Sequence, residues 1–187
     1  MKYSKLGKHI LLPSALVIAV LMGLTVMAGD PYAARSAVAA GQKAPAFHAK
    51  TVDGKTVNFP DDYKGKVVLL DFWATWCPPC RRELPRVVAA YNKYHDKGFE
   101  IVSVSLDQPR HDPALMQFVK DNNMTWPQIY DGGYWKAAIA VQYGVQAIPC
   151  PVLVDGDTGK IIATDTGALG PSLEKALETA LAGKARK

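Results

Sequence analysis

Cys77 and Cys80 stand two residues apart in Trp76-Cys77-Pro78-Pro79-Cys80, entered from the apolar run Val67-Val68-Leu69-Leu70 and left through a helical pattern that starts at Arg81. That spacing puts two sulfurs in one turn at a helix N-terminus. The first N–H groups of a helix lack intrahelical acceptors and the aligned peptide dipoles place about half a positive charge there, so an anion is favoured. The spacing therefore predicts a Cys77 thiolate held near neutral pH, and a thiolate is the nucleophile of disulfide exchange. Cys80, one turn further in and expected to sit deeper, would close a small ring with Cys77 and resolve the mixed disulfide formed with a partner.

A zinc knuckle is the other use of such a pair, and it needs a second pair of ligands. Only Cys150 remains, and His9, His48, His95 and His111 are scattered without ligand spacing, so no metal site is expected. Two consecutive prolines also suit a fixed helix start. They delete two N–H groups that could face the Cys77 sulfur, which leaves the thiolate less stabilised and the disulfide less oxidising. The pair should act as a reductant whose own disulfide is the redox group, with no added cofactor.

Asp71 to Cys80 resembles the active-site segment of the thioredoxin superfamily, and Trp76 to Pro85, with its Cys-Pro-Pro-Cys-Arg-Arg-Glu-Leu-Pro, is especially similar to the TlpA-like branch. That branch comprises envelope thiol-disulfide oxidoreductases, including those serving cytochrome c maturation. The likeness spans residues 45–182 and implies disulfide-containing protein substrates, apocytochromes among them. By this resemblance Asp71 matches the buried acid that exchanges a proton with the second cysteine, and Glu83 matches the active-site glutamate of the branch. Ile148-Pro149 matches the cis-proline loop that packs against the dithiol and offers the Ile148 backbone to an extended substrate segment, a strand-addition mode of recognition. Trp76, Pro78 and Pro79 complete the expected substrate-facing set, Trp76 shielding the edge of the disulfide. Cys150 stands where the family usually has threonine. TlpA-like chains often carry a neutral residue at the place of Asp71, so this chain leans toward thioredoxin there.

The residues themselves leave alternatives beside these roles. Asp71 lies in the most apolar strand of the chain, where burial should raise its pKa, unless it tops the strand and is solvated. Glu83, one turn beyond Cys80, either reaches the dithiol or is a surface acid favoured by the helix dipole. Cys150 is either a buried inert thiol or a third thiol that competes with Cys80. Trp126 and Trp135 read only as core or surface residues.

The elements that must position these groups alternate. Phe47 to Phe59 brackets Asp53-Gly54, a hairpin signal, and the unalternating run Val67 to Trp73 should be a central strand covered on both faces. A helix after Cys80, kinked at Pro85, should bury Leu84, Val87, Val88 and Tyr91 and stop at Gly98. Phe99 to Leu106 follows as a strand. A short helix from Asp112-Pro113, capped by the Asp, then a strand over 125–130 and a helix over 134–143 form a central insert. Strands over 151–154 and 160–164 flank a turn, and a helix over 171–182 closes the chain. Strands alternating with helices and a final hairpin predict an α/β fold, a mixed central sheet with helices on both faces; the resemblance makes it thioredoxin-like.

Lys2, Lys5, Lys8 and His9 precede an uncharged run, residues 10–29, long enough at about 1.5 Å per residue to cross a bilayer core of about 30 Å. Residues 1–28 thus read as a signal peptide or an N-terminal membrane anchor, with Val26-Met27-Ala28 the better cleavage site. Residues 29–45 read as a linker and 46–187 as one domain. The positive head stays in the cytoplasm, which puts the catalytic domain in the periplasm or on the outer face of the membrane. A reductant there requires a membrane thiol partner to recharge it. Residues 1–40 hold four of the 22 Lys and Arg and one of the 17 acids, so the remainder carries only +2. No basic stripe with interleaved aromatics appears, and no nucleic acid partner is expected.

Two other uses of such a fold are open. A copper metallochaperone could hold Cu(I) on the dithiol, although copper chaperones of this superfamily space their cysteines further apart and add a distal histidine. A thiol peroxidase would share the central insert, but Thr75 is two rather than three residues before Cys77.

Overall fold

The structure is a computed structural model that describes residues 36–184. The expected signal peptide or anchor lies outside the described residues. Among the described residues no helix is long and apolar enough to cross a membrane.

A two-stranded hairpin, β1 (Phe47–Lys50) and β2 (Thr56–Phe59), precedes the central strand β3 (Val67–Trp73). Every residue of β3 is buried, as its unbroken apolar run requires of a strand covered on both faces. Helix α1 (Pro78–Tyr94) follows, then β4 (Phe99–Ser105), α2 (Asp112–Asp121), β5 (Gln128–Ile129) and α3 (Ala138–Gln142). The antiparallel pair β6 (Cys150–Asp155) and β7 (Lys160–Thr164) and helix α4 (Gly170–Lys184) close the fold. The sheet order is β5-β4-β3-β6-β7, with β3, β4 and β5 parallel and β6 antiparallel to β3.

The alternation of side chains along β3 divides the core. Phe72 meets the ring of Tyr143, just past α3, while Trp73 meets Phe118 of α2. Asp71 shares the face of Trp73, toward α1. Helix α1 buries Cys80, Leu84, Val87, Ala90, Tyr91 and Tyr94, and α4 buries Leu173, Leu177 and Leu181. Gly98, at φ 95°, ends the short 3-10 turn after α1 in the left-handed region that glycine tolerates.

Several expected boundaries differ, each for a local reason. The strand expected over 125–130 shrinks to Gln128–Ile129, because Pro127 has no N–H for a ladder and Trp126 turns inward. The helix expected over 134–143 breaks at Ala137: the Asp131 carboxylate accepts the N–H groups of both Gly133 and Ala138 at 2.8 Å, starting a new helix at Ala138. Asp112 is the first residue of α2 and not its cap. Pro85, where a kink is expected, lies inside α1 without ending it.

The segment expected to be a linker is pinned to the domain from Ser36 onward. Ala37 N–H donates to Tyr143 O at 3.0 Å, Gly41 N–H to Ile161 O at 2.8 Å and Ala44 N–H to Gly159 O at 2.9 Å. Residue Lys43 forms an antiparallel bridge with Lys160 at the start of β7.

Candidate active site

Cys77 is the N-cap of α1, and the helix begins at Pro78 with a second proline behind it. Pro78 and Pro79 bring no N–H, so the first helical amide able to serve an anion is that of Cys80, which donates to Cys77 Sγ at 3.2 Å. The two cysteines form a disulfide with a Cα–Cα distance of 5.3 Å. Both cysteines are buried, Cys77 at 2 % and Cys80 at 6 % exposure, so the expected contrast of a more exposed Cys77 and a deeper Cys80 is not seen at the level of the whole residues.

The approach to Cys77 is held by a carboxylate that sequence reasoning passed over. Asp107, fully buried just past β4, accepts from the Thr75 N–H at 3.0 Å, from the Thr75 hydroxyl and from the Ser105 hydroxyl at 2.8 Å. The indole of Trp76 donates to Leu106 O at 3.2 Å. The turn from β3 into α1 is thus tied to the end of β4 at two successive residues, Thr75 and Trp76. Trp76 is 40 % exposed, and its ring packs against Tyr134 at 5.4 Å and Trp135 at 6.0 Å. Trp135, read from sequence as core or surface only, therefore belongs to the aromatic cluster beside the disulfide.

Behind the disulfide, Asp71, Trp73, Cys80, Glu83 and Pro149 line a cavity of about 10 Å³, the volume that one water molecule needs. Burial pushes the Asp71 carboxyl up to about 7; the Ser103 hydroxyl, donating to Oδ2 at 3.4 Å, works against this, and the Glu83 charge adds to it. Asp71 is buried within the strand, not solvated at its end. Ser103 faces Asp71 because parallel pairing of β3 with β4 sets them in register. Its hydroxyl also accepts the indole N–H of Trp126 at 2.8 Å, which leaves its proton for Asp71. The signal that could have found Ser103 is a small hydroxyl in an otherwise apolar strand.

Glu83 reaches toward the dithiol and also past it. Its Oε1 accepts the N–H of Gly170, the first residue of α4, at 2.7 Å, and its Oε2 lies 3.6 Å from Arg86. The Ile148–Pro149 peptide is cis, as the resemblance implies, and so is Phe59–Pro60. Cys150 is fully buried in β6 opposite Phe72 and takes no part in a disulfide. Among the described residues no group of three or more His, Cys, Asp or Glu is arranged to hold a metal.

A Redoxin family model matches residues 39–181. The chain belongs to the redoxin family. Redoxin relatives named thiol-disulfide oxidoreductase ResA include that of Bacillus cereus, 35% identical over 147 residues, which cover 79% of this chain and 80% of that protein. The Bacillus subtilis relative of the same name is 29% identical over 158 residues, covering 84% of each chain. Among solved structures, the thioredoxin domain of a thiol-disulfide oxidoreductase from Bacteroides vulgatus superposes with a TM-score of 0.67 at 32% identity, covering 77% of this chain and 99% of that one. A thiol:disulfide interchange protein from a Bacteroides species gives a TM-score of 0.65 at 32% identity, covering 78% and 92%. This redoxin is a thiol-disulfide oxidoreductase with a thioredoxin-like fold, and the disulfide at the N-terminus of α1 is the feature that suits the activity.

Proposed function

We propose that the protein reduces protein disulfides outside the cytoplasmic membrane, held there by residues 1–28 or released by their cleavage, and that apocytochromes in cytochrome c maturation are its substrates. The observation that carries the direction is the pair of prolines: the Cys77 sulfur receives a single helix N–H, from Cys80, so its thiolate is less stabilised than one served by a full turn of amides.

In the reduced protein the Cys77 thiolate attacks one sulfur of the partner's disulfide and expels the other as a thiolate. Asp71 takes the proton of Cys80 through the small cavity between them. Cys80 then attacks Cys77 Sγ, the mixed disulfide breaks, and the partner's second thiolate leaves. Two electrons pass to the partner, and the chain is left with the Cys77–Cys80 disulfide. A membrane thiol reductant returns it to the dithiol. Trp76, Pro149 and Ile148 face the substrate, and Glu83 acts beside Asp71.

The test is a trapping experiment in the envelope with Cys80→Ser. It should accumulate mixed disulfides on Cys77 with proteins carrying reducible cysteine pairs, and Cys77→Ser should capture none. Capture by neither variant, or a chain recovered from the cytoplasm with its N-terminus intact, overturns the reading.

A further inference from the structure

Arg81 and Arg82 occupy the electrically wrong end of α1. The N-terminal turn of a helix favours acids and disfavours cations, and α1 has no acid in its first turn. Both arginines are exposed, and neither has an ion-pair partner among the described residues; Arg86, one turn on, pairs with Glu83 instead. The Arg81 guanidinium lies over the ring of Phe118 at 5.7 Å, a cation–π contact that holds it at the mouth of a surface groove. Together with Pro78, Arg82 and Asn122 these two residues line an open groove of about 540 Å³. Pro78 follows Cys77 directly and is the first residue of α1, so the groove borders the turn that carries the disulfide.

Two cations at this position work against helix stability and have no counter-ion among the described residues. A planar guanidinium held over an aromatic ring presents its N–H fork for bidentate contact with a carboxylate. We infer that this groove receives an acidic segment of the protein substrate, an Asp or Glu close in sequence to the reacting cysteine. The inference rests on the disulfide-reducing role proposed above and names the substrate class for the same site. Such a cationic groove steers an acidic partner toward Cys77 and holds its carboxylate while the sulfur reacts. A basic segment is repelled at the same place.

The experiment uses the reduced full chain and three probes: a disulfide-linked peptide with Glu flanking its cysteine, the same peptide with Lys, and the neutral 2-hydroxyethyl disulfide. Each peptide rate is divided by the neutral rate of the same protein, so any change in Cys77 reactivity cancels. At low salt the Glu peptide should react about tenfold faster than the Lys peptide, and the ratio should fall toward one at high salt. R81Q/R82Q should abolish the discrimination, R81E/R82E should reverse it, and R81K/R82K should keep the salt-dependent part. Equal ratios for Glu and Lys peptides, or a preference unaffected by R81Q/R82Q and R81E/R82E, overturn the inference while leaving disulfide reduction intact. No reduction of the neutral disulfide by the unaltered protein would instead overturn the role on which it rests.

Discussion

Glu83, on the helix that carries the disulfide, accepts the N–H of Gly170 at 2.7 Å and so caps α4 from outside its own chain segment. A first-turn N–H has no intrahelical acceptor, and a side-chain oxygen that serves it stabilises the helix end. One carboxylate thereby joins the active-site helix to the C-terminal helix while its charge raises the pKa of Asp71.

Glu83→Ala should lower stability by about 1 kcal/mol, the worth of a lost cap, with little added by the exposed contact to Arg86. Glu83→Gln keeps an acceptor oxygen and should retain most of that stability while lowering the Asp71 pKa. Urea unfolding of the three oxidised proteins checks this: the midpoint should drop for Ala and much less for Gln, with an unchanged slope.

Asp71→Asn concerns the stability curve. Burial raises the folded pKa from 3.8 to about 7, so the wild-type protein is favoured fully below pH 3.8 and loses stability as pH rises toward 7. The Asn variant has no such slope, and its stability relative to wild type should climb across this window by roughly 4 kcal/mol. Parallel unfolding curves at pH 4 and pH 7.5 decide it. A difference that does not grow between them would contradict an ionised, poorly compensated Asp71.

Ser103→Ala removes the hydroxyl that holds the Asp71 carboxyl down, so its pKa should rise further. If Asp71 accepts the Cys80 proton, the rate of the resolving step should show its midpoint moved up by about one pH unit, the worth of one hydrogen bond. Attack by Cys77 on a disulfide should keep its pH profile. Stopped-flow rates of the two steps separate the outcomes, and a shift in both would mean Ser103 acts on the whole site.

Cys150 should be inert. It is fully buried in β6, and a thiol without water access ionises poorly. A thiol reagent should label two cysteines in the reduced native protein and the third only after unfolding. Rapid labelling of Cys150 in the native protein would make it a third active thiol.

The sequence made the dithiol, the central strand and the closing helix legible because each is a local pattern: a two-residue spacing, an unbroken apolar run, a helical period in Leu173, Leu177 and Leu181. Asp71 stood out as an acid within that apolar run. Ser103 and Asp107 did not, since their importance lies in register: only the pairing of β3 with β4 brings Ser103 opposite Asp71, and only the adjacent strand ends bring Asp107 under Thr75. Trp135 likewise meets Trp76 across 58 intervening residues, through a loop shaped by Asp131. Glu83 was legible as an acid beside the dithiol, but its second task depends on where α4 begins.

The pinning of residues 41–44 along β7 has its counterpart at the other margin of the sheet. There Thr51 bridges to Ile129, and Val52 N–H donates to Gln128 O at 2.8 Å on the outer side of the two-residue β5. Stretches ahead of β3 therefore cover part of each outer strand. Unpaired strand margins are templates for association with other chains, and a thiol-disulfide oxidoreductase that acts on proteins meets other polypeptide at every exchange. With both margins partly occupied by its own leading segment, the sheet offers such polypeptide little bare backbone to zip onto, and encounters are directed instead to the end of the sheet where the sulfurs lie.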